Sequence, residues 1–165
     1  MELENNQIKQ TYIRLLIDSS KKKLEILREL MQISEQQEAL LRSEAFEEDL
    51  FSQTISQKDT LLNQLNELDN GFERIYDSVK EELKENKYRY EVEIKTLQEY
   101  ITTITDTGVK LQALELRNKA KLETVLATIR KDIRSTKVSS QTAAKYYKTM
   151  TNQNEAQSFF YDKKK

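Results

Sequence analysis

Apolar side chains return every three or four residues along most of this chain, and no proline interrupts them. That spacing follows the α-helical period, so each run presents one apolar face that must be buried against another. The first run, Ile8, Tyr12, Leu15, Leu16, Leu24, Leu27, Leu30, Met31, Leu40 and Leu41, predicts a helix from about residue 3 to 42. The stretch SSKKK at 19 to 23 breaks this face with small and cationic groups. A packed bundle tolerates these where lysine stems reach out to water, so looser packing is expected there.

Ser43, followed by Glu44, Glu47, Glu48 and Asp49, reads as a helix start, with a capping hydroxyl and anions near the positive end of the helix dipole. The first turn is therefore expected near 42 to 46. A second run, Leu50, Leu61, Leu65, Leu68, Phe72, Ile75 and Val79, keeps its phase through Asp69, Asn70 and Gly71. DNG is the strongest local turn signal in the chain, yet the unbroken spacing predicts a continuous helix at a cost of about 1 kcal/mol for the glycine. Phase is lost after Leu83, which sets the second turn near residues 84 to 88. The third run extends from Tyr90 through Ile94, Leu97, Ile101, Ile104, Leu111, Leu114, Leu122 and Val125 to Ile129 and Ile133. At about 1.5 Å per residue this is a rod of about 65 Å.

The expected fold is all-α: an elongated antiparallel bundle or coiled coil of three long helices over residues 1–134. A flexible tail, partly disordered or forming a short helix, follows over 135–165. A charged fraction of 33% beside 37% hydrophobic, with two glycines, suits long amphipathic helices. The tail carries six lysines against Glu155 and Asp162, a charge of +4, which leaves −5 for the preceding residues out of the net −1. No clustered basic surface is evident in the body, so nucleic acid is not an expected partner. The opening MELENNQIKQ lacks the basic start and apolar run of a secretory signal, and no segment is apolar for the roughly 18 residues that a membrane span needs. A cytoplasmic protein without stable membrane insertion is expected.

Histidine and cysteine are both absent, which removes the commonest general base, the commonest metal ligands and the thiolate nucleophile. The two glycines, Gly71 and Gly108, make no phosphate cradle. Adjacent carboxylates such as Glu47/Glu48 and Glu81/Glu82 point to different parts of a helix surface. No enzyme activity, metal or cofactor is expected.

Two features invite a binding role. Gly108, Glu115 and Asn118 fall where the third helix should be apolar. Either Asn118 fixes the register, with Leu114 standing in for Glu115, or Leu111, Leu114, Asn118 and Leu122 border an open groove that receives a partner's amphipathic helix. The tail gathers Tyr146, Tyr147, Met150, Phe159, Phe160 and Tyr161 among polar residues. It can fold back as a fourth helix over about 140 to 151, with Ala143, Ala144, Tyr147 and Met150 inward. It can also, compatibly with that, anchor a partner, or instead touch a membrane surface beside Lys163, Lys164 and Lys165.

The stretches KDTLLNQLNELDNGFERIY, IKTLQEYITTITDTGVKLQALELRNKAKLE and SSQTAAKYYKTM…FFYDKKK together resemble the small flagellar type III export chaperones of the FlgN class, and less closely those of the FliT class. The resemblance implies a non-catalytic helical chaperone. Such a chaperone binds hook–filament junction or filament-type export substrates, prevents their premature assembly and delivers them to an export gate component. It implies partner contacts at Leu111, Leu114, Asn118 and Leu122 and at Tyr146, Tyr147 and Met150, with at most a weak homodimer. The competing expectation is a structural coiled coil that only self-associates.

Overall fold

A computed structural model describes residues 2–131 and 141–153. Three long helices, α1 (Glu2–Arg42), α2 (Glu48–Glu85) and α3 (Glu91–Arg130), are followed by a short helix, α4, over 141–153. No strand occurs among the described residues, and the fold is an all-α bundle.

The seam of α1 is a strict alternation of three and four: Ile13, Leu16, Ser20, Lys23, Leu27, Leu30, Ser34, Gln37 and Leu41 are all buried. A repeat of 3.5 residues keeps one face of a helix against its neighbours over many turns, as in coiled coils. In α3, Leu97, Ile104, Gly108, Leu111, Glu115, Asn118 and Leu122 follow the same alternation inward. α1 is the spine of the bundle, packed extensively on both α2 and α3, which make few direct contacts with each other. It runs antiparallel to α2, since Lys9 meets Glu82, Lys23 meets Asp69 and Gln37 meets Thr54. It runs parallel to α3, since Ile13 and Leu16 cluster with Leu97, Leu27 and Leu30 with Ile104 and Leu111, and Leu41 with Leu122. Because α2 and α3 share α1 more than they touch, a groove lies between them.

Apolar and polar layers alternate along the rod. At one end, Ile13, Leu16, Val79, Tyr90 and Leu97 form a cluster. The middle cluster joins Leu27 and Leu30 to Leu62, Leu65, Ile104 and Leu111. At the other end, Leu41, Phe51, Ile55, Leu122 and Leu126 enclose Tyr146 of α4. Each leucine fully buried in such a cluster contributes about 1.5–3 kcal/mol. Between the first two clusters lies the ion pair Lys23–Asp69, 2.7 Å long with both side chains 5% exposed. Lys23 thus turns inward to a carboxylate rather than out to water, and the region expected to pack loosely around SSKKK instead buries Ser20 and Lys23.

α2 runs unbroken through Gly71, and neither glycine has a positive φ. The first turn occupies 43–47, and the helix start expected at Ser43 is displaced: Glu47 is the N-cap and forms no side-chain capping bond. The entry is fastened by aromatic packing instead, with Phe46 before the cap and Phe51 in the first turn of the helix at 5.4 Å between ring centroids. At the second turn, 86–90, Glu82 gathers three partners: Lys9 Nζ at 3.2 Å, Asn86 Nδ2 at 3.0 Å and the Tyr90 hydroxyl at 3.2 Å. Burial pushes its carboxyl upward, but these donors outweigh burial and hold it below its usual range.

A helical seat and its buried polar network

α4 lies in the groove between α2 and α3. Thr142 donates to Glu48 Oε1 (2.8 Å), Lys145 to Ser52 Oγ (3.1 Å) and Ser56 Oγ (2.6 Å), and Thr149 to Asp59 Oδ1 (2.7 Å). Partner numbers on α2 rise together with those on α4, so the two helices are parallel. On the α3 side, the Tyr146 hydroxyl donates to Glu115 Oε2 (3.1 Å) and the Tyr147 hydroxyl to Glu123 Oε1 (2.9 Å), with Lys119 Nζ 5.7 Å from the Tyr147 ring centroid. The inward face of α4 is Thr142, Ala143, Tyr146, Thr149 and Gln153. It is offset from the expected face: Ala144 is exposed and Tyr147 half-buried. Its apolar anchor is Tyr146, 1% exposed and 5.8 Å from the Phe51 ring.

Beneath Tyr146 lies a network drawn from all four helices. Lys58 Nζ donates to Glu115 Oε1 at 2.5 Å and to Gln37 Oε1 at 3.2 Å. Ser34 also donates to Glu115 Oε1, Gln37 Nε2 donates to Thr54 Oγ1 at 3.0 Å, and Asn118 Nδ2 to the Ser34 carbonyl at 2.9 Å. Lys58 and Glu115 are 1% and 2% exposed. Burial pulls the Lys58 ammonium below its ordinary range while Glu115 opposes that shift, and burial together with the neighbouring Glu115 carboxylate pushes the Tyr146 phenol up. A network this deep adds specificity when every member is satisfied, since a one-heptad slip would leave charges unpaired.

The expected site residues are therefore split. Leu111, Leu114, Asn118 and Leu122 are all buried. Leu111 belongs to the middle cluster, Leu122 packs in the cluster that includes Tyr146, and Asn118 is bonded to the backbone of α1. The groove expected to be open beside Leu111, Leu114 and Leu122 holds α4 on its α2/α3 side. Glu115 is inward together with Leu114, so neither replaces the other. Tyr146, Tyr147 and Met150 join the cluster of Leu122, while Phe159 and Phe160 lie outside the described residues.

Sequence reading missed Lys58, Ser34 and Gln37. The available signal was positional: 34 and 37 continue the three-four count from Leu27 and Leu30, and Lys58 sits between Ile55 and Leu62. Among the described residues, no cluster of three or more acidic side chains suits a metal ion, and no helix is long and apolar enough to cross a membrane. Comparison with protein families, with characterised proteins and with solved structures finds no match to this chain.

Proposed function

We propose that this protein is a cytoplasmic, non-catalytic chaperone of the flagellar export type. In this reading it holds the amphipathic helical ends of hook–filament junction or filament-type substrates and presents them to an export gate component. The observation that carries the reading is α4 itself. It is a short amphipathic helix, held between α2 and α3 by one buried tyrosine and a row of hydroxyl and lysine hydrogen bonds rather than by a long apolar seam. A seat of that shape accepts a helix in trans as well as in cis. Its largely polar attachment suits exchange, because side chains that leave Ser52, Ser56 and Asp59 find water instead.

In this reading the substrate helix replaces α4, and Tyr146 is the stand-in for the substrate's own anchor. The test is titration of purified junction proteins against the full chain and against its Lys145→Glu/Thr149→Asp variant. The variant sets carboxylates against Ser52 and Asp59 and so loosens α4. Each 1.4 kcal/mol of docking removed should tighten substrate binding about tenfold. A heterocomplex of defined stoichiometry, tighter for the variant, is the expected result. Equal affinity for both proteins would sink the exchange model, and self-association without any heterocomplex would favour a structural rod.

A further inference from the structure

At the end of the bundle away from α4, α2 and α3 line a further groove that nothing among the described residues fills. Its floor there is apolar, formed by Leu83 of α2 and Ile94, Leu97 and Ile101 of α3, and its volume is about 950 Å³. From Glu91 to Ile101 it follows α3 for about 15 Å, close to three helical turns. Tyr88, at its end, stands 95% exposed. Large apolar side chains left in water at a groove mark an interaction surface.

The groups that α2 and α3 offer differ between the two ends. Where α4 sits, its hydroxyls meet Glu48, Asp59, Glu115 and Glu123. In the open groove the rim is lined by exposed Lys80, Lys84, Lys87 and Lys95, against Glu81 and Glu91. Lys80 also lies 3.6 Å from Asp77 in an exposed pair. Residues 154–165, with Lys163, Lys164 and Lys165 against Glu155 and Asp162, match the charge of that rim poorly.

We propose that the open groove is a second docking site, for an acidic amphipathic helix of about three turns from another protein. Its apolar stripe lies on Leu83, Ile94, Leu97 and Ile101, and its flanking carboxylates face Lys84 and Lys95. The occupied groove shows the mode of binding, a helix laid between α2 and α3, and the lysine rim selects the charge. The site is separate from the α4 seat and stands whether or not that seat exchanges helices.

The probe is a pair of synthetic helical peptides of about 14 residues with the same leucine stripe, one flanked by glutamates and the other by lysines. Each is titrated into the full-length protein and followed by fluorescence anisotropy and by amide chemical shifts. The acidic peptide should bind at least tenfold tighter than the basic one, with shifts confined to residues 76–101 and a margin that shrinks as salt rises. Lys84→Glu/Lys95→Glu, which alters only exposed side chains, should reverse the preference. Equal binding of the two peptides, shifts centred on 141–153, or a groove closed by dimerisation of the chain itself would each overturn the proposal. Junction-protein binding is read in a separate titration, so either proposal can fail alone.

Discussion

Replacing Lys58 with methionine keeps most of the stem and deletes the charge at the centre of the network. The change removes the 2.5 Å bond to Glu115 and the 3.2 Å bond to Gln37, and leaves a carboxylate that is 2% exposed with Ser34 and Tyr146 as its side-chain donors among the described residues. Breaking a buried pair by removing one partner costs about 3–5 kcal/mol, because the survivor remains desolvated without its counter-charge. For a chain of 165 residues this corresponds to a fall in Tm of roughly 6–20 °C. Lys58→Met/Glu115→Leu removes both charges and leaves the Ser34 and Tyr146 hydroxyls without their carboxylate acceptor and Gln37 Oε1 without its lysine donor, neutral groups that are less costly to leave buried than an unpaired carboxylate. The double variant should therefore be more stable than Lys58→Met alone. Urea unfolding followed by circular dichroism at 222 nm, with the Glu115→Leu single variant completing the cycle, measures the coupling. A loss below about 1 kcal/mol for Lys58→Met, or additive effects in the double variant, would refute the idea that these two charges depend on each other.

Lys23 and Asp69 predict a pH dependence. Burial lowers the Lys23 ammonium to about 8 despite the attraction of Asp69, and burial likewise raises the Asp69 carboxyl against the opposing pull of Lys23. Between about 8 and 10.5 the unfolded chain binds more protons at Lys23 than the folded chain, so this residue adds stability as pH rises through that window. Relative to Lys23→Met/Asp69→Leu, the natural protein should gain on the order of 3 kcal/mol from pH 8 to 10.5, and a flat difference in urea midpoints would contradict this. Gly71→Ala should stabilise by about 0.5–1 kcal/mol in the same assay, because the helical backbone there has no positive φ and an added Cβ meets no atom within 4 Å. Destabilisation would mean that α2 bends at that point. Tyr146→Phe, which deletes only the hydroxyl on Glu115, should speed hydrogen exchange across 141–153 by about ten- to thirtyfold, through the loss of about 1.5–2 kcal/mol. Unchanged exchange would assign the docking of α4 to its other contacts.

The long helices and the second turn were legible because Leu, Ile and Val spacing sets phase: continuity through Gly71 and the break after Leu83 both follow from counting, whereas the first turn was read from Ser43 and its acidic run and the cap itself moved to Glu47. What counting could not supply was the chemistry of polar positions on the same seam. Lys23 reads as a snorkelling lysine until Asp69, far along the chain, is placed opposite it at 2.7 Å. Glu115 reads as an interruption until Lys58 and Tyr146 converge on it. The inward face of α4 was misread for a related reason. Thr142, Thr149 and Gln153 look like surface residues, yet they are buried, and the two threonines hydrogen-bond to α2, while Ala144, the more apolar choice, faces water.

The separation between network partners bears on the order in which the chain is made. Lys23 and Asp69 both belong to the α1/α2 hairpin, so their layer is complete once the first half of the chain has been synthesised. Lys58 is different: until Glu115 emerges, the hairpin holds an ammonium whose carboxylate does not yet exist. The nascent hairpin therefore cannot close dry around that layer, and water stays at its centre until α3 arrives. Tyr146, the last of the partners to be synthesised, then seals it.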